Sequence, residues 1–388
     1  MPPSLWIDSD PSGLYYTGLD CDDDLAILVA LALHQRQMIN LQGLSICSGN
    51  APLRHTWEDV QRLWKYVSGY ERTGIHPTKG FGWRSMQVGV KLLQIYNSFF
   101  LDVPDSDEAS LAVSNRVVEA SLRQNAMTIL TLGPLTNVAK AIQQLGHTHI
   151  NGIDHIYLMG GELTNQQLDL NFRSDRASAR TILKANVPKT MIPIQTCGQV
   201  SITEEWISKL NCESDDQLAV CAFASKMKQQ VRLMPMFVNP AVKNRMASST
   251  HKSIIVWNPS PNLYYGFIPW DIVALLAITH PEEFSDWQYH RVSLPHCIGR
   301  EPCDGTMQVI DDIGVNYDGS WSNVVRIPHT VSNETRLLDI IFDLIKDVDV
   351  PATFEQPRLS WGFAIDFSGF VIATIMFTIF CIKLFRMK

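Results

Sequence analysis

No two of the eight cysteines stand as a CxxC pair, so the sequence offers no zinc ribbon and no thioredoxin-type redox motif. His296, Cys297 and Cys303 lie close together, but three candidate ligands without a regular spacing make a poor case for zinc. The scattered thiols suit a reducing compartment better than a disulfide framework. Lys and Arg form no basic patch, and a formal net charge of −7 argues against nucleic acid as a partner. Met1-Pro2-Pro3 leads straight into an apolar stub, without a basic stretch or a long apolar run, so no secretory leader is expected. Internal repeats are also lacking.

What the chain has in quantity is aspartate near its start. Asp8, Asp10, Asp20, Asp22, Asp23 and Asp24 fall within seventeen residues that contain no Lys or Arg. Leu5, Trp6 and Ile7 read as the end of a buried strand. Asp22 to about His34 reads as a helix, with Leu25, Leu28, Val29 and Ala32 on one side. The acids therefore lie at the carboxyl end of a strand and at the positive end of the next helix. Open α/β sheets bind ligands at such a place, and the helix dipole favours anions there. Carboxylates packed this closely repel one another unless a cation neutralises them. An all-oxygen donor set suits Ca²⁺ or Mg²⁺ rather than zinc.

Strand-like and helix-like runs then alternate. Ile39–Cys47, Met127–Leu132, His155–Met159 and Met191–Thr196 read as strands. Helices are expected near Thr56–Val67, Asp107–Leu122 and Arg176–Lys184, and later at Glu204–Met234, Trp270–Thr279 and Glu334–Lys346. Short strands are expected near Tyr289–Leu294, Met307–Ile310 and Asn323–Ile327. This rhythm predicts an α/β fold, a mostly parallel Rossmann-like sheet with helices on both faces.

The expected domain covers residues 1–346, followed by a linker at 347–360 that carries Pro351 and Pro357. Residues 361–382 hold Asp366 as their only charged residue, and a membrane span needs about 20 apolar residues. They are expected to form a C-terminal transmembrane helix, with a basic tail at 383–388. Without a leader, the expected arrangement is a single-pass tail anchor in the mitochondrial outer membrane or the endoplasmic reticulum. The main domain then stays in the cytosol and the sequon Asn333-Glu334-Thr335 stays unglycosylated.

Further polar or ligand-capable groups fall at strand ends. Asn50 follows the second strand, the Leu132 carbonyl ends the third, and Asp169-Leu170-Asn171 follows Met159-Gly160-Gly161. Asp271 opens a helix after Trp270. Together these motifs resemble the nucleoside hydrolase family, the inosine-uridine-preferring nucleoside N-ribohydrolases. The opening DxDPG is Asp8-Ser9-Asp10-Pro11-Ser12-Gly13, and after an insert its DD becomes Asp22-Asp23 ahead of Asp24-Leu25-Ala26-Ile27-Leu28. Gly49-Asn50, Gly133-Pro134-Leu135-Thr136-Asn137 and Met159-Gly160-Gly161 match further motifs, and Asp271-Ile272-Val273-Ala274 matches the late D-x-x-A. The family's E-F-N appears as Asp169-Leu170-Asn171, one methylene shorter at the acid.

The resemblance implies Ca²⁺-dependent hydrolysis of ribonucleosides to base and ribose. It implies Asp10, Asp23, the Leu132 carbonyl and Asp271 as metal ligands, with Asp20 and Asp24 as rivals to Asp22 and Asp23. Asp10 is the implied general base and Asn50 positions water or ribose. Asp22, Asn165, Asp169 and Asn171 would grip the ribose, and Met159 would line it. Trp270 stands where many members carry a histidine. It cannot donate a useful proton but can stack on a purine, as can Trp83, so purine nucleosides are favoured. A broad or pyrimidine-preferring hydrolase, or a membrane-anchored ribosyl-binding protein without turnover, is the alternative. The expected partners are thus a nucleoside and, through the C-terminal segment, a membrane; homo-oligomerisation is left open.

Overall fold

In the computed structural model the apolar stub becomes β1 (Ser4–Ser9), which is buried from Leu5 onward. The structure describes residues 2–12, 21–66, 75–82, 106–146, 148–163, 169–210, 212, 221, 224, 226–228, 230–231, 266–294 and 307–346. Further strands are β2 (Asn40–Ile46), β3 (Pro77–Lys79), β4 (Met127–Thr131), β5 (Ile153–Met159) and β6 (Lys189–Ile192). They continue with β7 (Ile202–Thr203), β8 (Gly266–Phe267), β9 (Phe284–Ser293), β10 (Gln308–Gly314) and β11 (Val324–Val331). The helices are α1 (Asp22–Gln35), α2 (Leu53–Tyr66), α3 (Glu108–Leu122), α4 (Thr136–Leu145) and α5 (Leu170–Ser174). After them come α6 (Arg176–Lys184), α7 (Ile194–Cys197), α8 (Glu204–Ser208), α9 (Trp270–Thr279) and α10 (Glu334–Lys346).

The main sheet has nine strands in the order β10-β9-β11-β6-β5-β4-β1-β2-β3. Pairing is parallel from β3 through to β11, while β9 runs antiparallel to both β11 and β10. The first six strands therefore have the doubly wound order 3-2-1-4-5-6 reversed at β1 and β4. Ligands bind such sheets in the crevice beyond the carboxyl ends of the strands at that reversal. Apolar residues of α1, α9 and α10 form one core, and those of α3, α4 and α6 form another. The two layers leave the strands apolar on both faces, as parallel strands require.

Three expectations are corrected. The strand beginning near Met191 stops at Ile192, because Pro193 has no N–H for the ladder, and residues 194–197 turn into the short α7. Among the described residues the helical stretch expected at Glu204–Met234 is not continuous: it begins as α8, whose Trp206 N–H is capped by Thr203 Oγ1 at 3.2 Å, turns at 209–210 and 212, and is helical again at 221, 224, 226–228 and 230–231. The thiols are not all free: Cys212 and Cys221 form a disulfide with their Cα atoms 5.3 Å apart. A pair nine residues apart carries no motif spacing, so it was invisible to a search for CxxC. Cys21, Cys47 and Cys197 are buried and are not disulfide-bonded.

The expected C-terminal transmembrane helix does not stand either. Among the described residues no helix is long and apolar enough to cross a membrane, and residues 361–382 lie outside them. An uncharged run in the sequence is a statement of composition, and it does not by itself make a helix. Residues Met1–Pro351 make one compact unit and Ala352–Lys388 another.

The register between β1 and β2 jumps between Leu5↔Leu41 and Trp6↔Gly43, a bulge that skips Gln42. It seats the Trp6 indole across Gly43, with Nε1 donating to Ser45 Oγ at 3.0 Å. A Cβ on Gly43 would lie 2.2 Å from Trp6 Cζ3. Gly43→Ala is therefore expected to cost about 1–3 kcal/mol through overpacking, seen as a lower urea midpoint with an unchanged slope. An unaltered midpoint would mean that the indole does not pack there.

Candidate active site

The site forms where β1 and β4 end. Asp8 is fully buried, paired across the ladder with Ser45 of β2, whose Oγ donates to Asp8 Oδ1. The same oxygen accepts Asn137 Nδ2 at 2.8 Å. Burial pushes the Asp8 carboxyl up to about 7, Ser45 and Asn137 pull it down, and the charge of Asp23 pushes it up again. Asn137 also receives the Phe81 N–H on Oδ1 at 3.0 Å, so one amide fastens β1, α4 and the loop after β3 together. The sequence contained Asn137 inside the Gly133–Asn137 motif but gave it no task, and no linear signal pairs it with Asp8, 129 residues away.

Asp10 directly follows the last residue of β1. Its Oδ2 accepts the Asn50 N–H at 2.6 Å. Two glycines allow the carboxylate its place: a Cβ on Gly49 would fall 1.9 Å from Oδ2, and one on Gly133 2.2 Å from Oδ1. These close approaches explain the glycines of both motifs. The Asp10 N–H in turn donates to Asp23 Oδ1 at 3.1 Å, beside Ser9 Oγ at 2.6 Å. Asn50 Nδ2 reaches Asp23 Oδ2 at 2.8 Å, so Asn50 clamps Asp10 with its backbone and Asp23 with its side chain.

Asp22, Asp23 and Asp24 form the first turn of α1, and Asp271 lies in the first turn of α9. The two positive helix ends converge, which favours carboxylates at that point. Ligand oxygens of Asp22, Asp23 and Asp271 lie within 4.8 Å of one another, and all three residues are buried. The Asp271 N–H donates to Asp22 Oδ2 at 3.3 Å. Asp24 is buried outside this group. Of the expected metal ligands, the structure thus joins Asp23 and Asp271, adds Asp22, and places Asp10 one hydrogen bond away. Three crowded, buried carboxylates fit a hard divalent cation, which offsets their repulsion and accepts oxygen donors.

The Leu132 carbonyl accepts Asn171 Nδ2 at 2.5 Å. The same nitrogen lies 3.2 Å from both the Met159 carbonyl and its Sδ. A carbonyl oxygen has two lone pairs, so this bond leaves Leu132 one for a ligand. Asp169 is turned to another task. Its Oδ2 accepts the Gly161 N–H at 2.7 Å and its Oδ1 caps α5 through Asn171 N–H at 3.0 Å and Phe172 N–H at 3.4 Å. Burial raises its carboxyl to about 7 against the pull of these donors. Gly160 and Gly161 have φ of +130° and +89°, a backbone that the turn demands and side chains resist. Trp270 is half-buried at the start of α9, and its carbonyl accepts the Cys197 thiol at 3.6 Å. Asp20, Trp83, Asn165, His296, Cys297 and Cys303 lie outside the described residues.

Oxygen donors gathered at the reversal point of a doubly wound sheet are the equipment of a metal-assisted hydrolase. The model of the inosine-uridine preferring nucleoside hydrolase family matches residues 5–339, and the chain belongs to that family of hydrolytic enzymes. Its fold is similar to that of a plant nucleoside hydrolase, PpNRh1, with a TM-score of 0.60 and 18% identity over 89% of this chain and 100% of that one. It is also similar to the purine-preferring ribonucleoside hydrolase from Gardnerella vaginalis, with a TM-score of 0.61 and 18% identity over 89% and 98% of the two chains. A curated relative, the pyrimidine-specific ribonucleoside hydrolase RihA of Shewanella woodyi, is 27% identical over 118 residues. That stretch is 29% of this chain and spans 37% of the length of RihA.

Asp169→Asn would keep an oxygen for the α5 cap but leave the Gly161 N–H without its carboxylate. A loss of about 1–3 kcal/mol of unfolding free energy is expected. An unchanged denaturation curve would show that Asp169 is not tied to the turn.

Proposed function

We propose that this chain hydrolyses the N-glycosidic bond of ribonucleosides to free base and ribose, with Ca²⁺ as its cofactor and purine nucleosides favoured. The observation that carries the proposal is the convergence of Asp22, Asp23 and Asp271 on one buried point beside Asp10. Asp10, Asp23 and Asp271 would hold the ion with the Leu132 carbonyl, and Asp22 lies close enough to join them or to meet a ribose hydroxyl. A Ca²⁺ held there lowers the pKa of water and offsets the charge of the carboxylates.

The remaining work belongs to the chain. Asp10 takes the proton of the attacking water, and the Asn50 N–H holds its carboxylate in place. Water adds to C1′ as the bond to the base nitrogen breaks, and the bonding pair leaves with the base. Positive charge grows on the sugar in an oxocarbenium-like transition state, which the surrounding carboxylates oppose. Asp22 and Asn171, with Asn165, take the ribose hydroxyls, and Met159 lines the sugar. Asp169 acts on the ribose through Asn171, whose N–H it holds. Trp270 stacks on the base, and its ring face favours a protonated, cationic purine. The names of the relatives point to both purines and pyrimidines; the ring beside Asp271 is the feature of this chain that favours the larger base.

Asp10→Ala is expected to lose about 10²–10⁴-fold in ribose release, the size of a general-base contribution. Asp271→Ala should abolish turnover, and dialysis against EDTA should do so reversibly, with Ca²⁺ restoring it. Full activity in the metal-free protein would rule out the cofactor. Stacking is worth about 1–3 kcal/mol per base. Trp270→Ala should therefore slow release from inosine more than from p-nitrophenyl riboside, whose leaving group needs no proton. Equal losses on the two substrates would remove Trp270 from base activation.

A further inference from the structure

The disulfide and one surface corner bear on each other. Asn333-Glu334-Thr335 is the chain's one Asn-x-Ser/Thr sequon without proline at the middle position. Such a triplet is meaningful only if the chain passes through a compartment that can modify it and if the amide faces solvent. The first condition is addressed by Cys212–Cys221, since disulfides persist in oxidising compartments and are rare where glutathione keeps thiols reduced. Closing that bridge passes two electrons and two protons to a disulfide-bearing oxidant.

The second condition is met at the corner between β11 and α10. Asn333 and Thr335 are both exposed, as is Ser332. Asn333 is the cap of α10: its Oδ1 accepts the Arg336 N–H at 3.0 Å, and its carbonyl accepts the Leu337 N–H at 3.1 Å. Both bonds use oxygens. The nitrogen Nδ2 makes no hydrogen bond among the described residues, so a substituent on it leaves the cap intact. The corner is also firmly placed, with the Ser332 N–H on the Glu283 carbonyl at 2.8 Å and Arg336 paired to the Glu283 side chain.

We propose that Asn333 carries an N-linked glycan, added in the oxidising compartment where Cys212 and Cys221 join. In that step Nδ2 bonds to C1 of an oligosaccharide carried on a lipid pyrophosphate. The C1–O bond breaks, the pyrophosphate leaves with the electron pair, and Nδ2 gives up one proton. This reverses the expectation of a cytosolic domain with an unmodified sequon.

The test uses the full chain isolated from its own cells. Peptide N-glycosidase is expected to increase its gel mobility, and the Asn333 peptide should gain the hexosamine mass before treatment. Asn333→Gln removes the acceptor but also disturbs the helix cap, so Thr335→Ala is the cleaner variant: it keeps the cap and should abolish the shift. Thr335→Ser, which keeps the sequon, should retain it. An unmodified Asn333 peptide from the wild-type protein overturns the proposal, whatever the state of the cysteines. A shift that survives Thr335→Ala overturns it as well.

Discussion

Mutual repulsion among buried carboxylates is the constraint around which this fold is arranged. Asp8, Asp10, Asp22, Asp23 and Asp271 are each at most 3% exposed, within a few side chains of one another. Left alone, so many acids in a low-dielectric crevice would take up protons or push the strand ends apart. The structure counters this in two ways. The first is fixed dipoles: α1 and α9 aim their positive ends at the cluster, and each contributes an acid from its own first turn. The second is neutral donors. Ser9 and Asn50 serve Asp23, Asn50 serves Asp10, and Ser45 and Asn137 serve Asp8. A divalent cation would complete the same balance. The carboxylate geometry makes sense as preparation for charge, because a site already organised need not rearrange during reaction.

Close packing around those acids sets the identity of residues that bear no charge. Gly49 and Gly133 come from different loops, yet both are held to glycine by the same Asp10 carboxylate. Gly80 is held in the same way by Asn137, whose Oδ1 would lie 2.2 Å from a Cβ there. Motifs that stand far apart in the chain are thus one contact set in space. The carboxylates are positioned by backbone that can approach them, and a side chain at Gly49 or Gly133 would displace Asp10, and one at Gly80 the Asn137 amide that serves Asp8.

This also decides what the sequence could and could not disclose. The sequence located Arg176–Lys184, Trp270–Thr279 and Glu334–Lys346 at their observed bounds: the first and last each have one apolar side, the middle one is apolar nearly all round, and each starts near an acid or a cap. The aspartates and Asn50 were legible because charge at a strand end is locally conspicuous. Partners were not. Nothing in a linear reading ties Asn137 to Asp8, 129 residues away, or joins Asp22 to the amide of Asp271. Cys212 and Cys221 were missed for the same reason, since a pair nine residues apart follows no spacing rule. Pro193 was readable, and giving its missing N–H more weight than the β-rich run around it would have ended β6 at the right place.

Asp169 shows how a small chemical change moves a residue between roles. A glutamate at this point has one more methylene with which to reach into a crevice. The shorter aspartate keeps its carboxyl over the backbone, where both oxygens are taken up by N–H groups of Gly161, Asn171 and Phe172. The charge is retained, but it serves the turn and the start of α5. What that turn holds is Asn171, and the Asn171 amide spans the Leu132 carbonyl and Met159 at the ends of β4 and β5. In the proposed reaction, sugar recognition would pass through a neutral amide fixed by a buried acid. Base recognition, with tryptophan beside Asp271, would rest on an apolar ring. In this chain the charged groups are concentrated at the Asp22, Asp23 and Asp271 cluster, and the groups that the proposal assigns to substrate selection, Asn171, Met159 and Trp270, are uncharged.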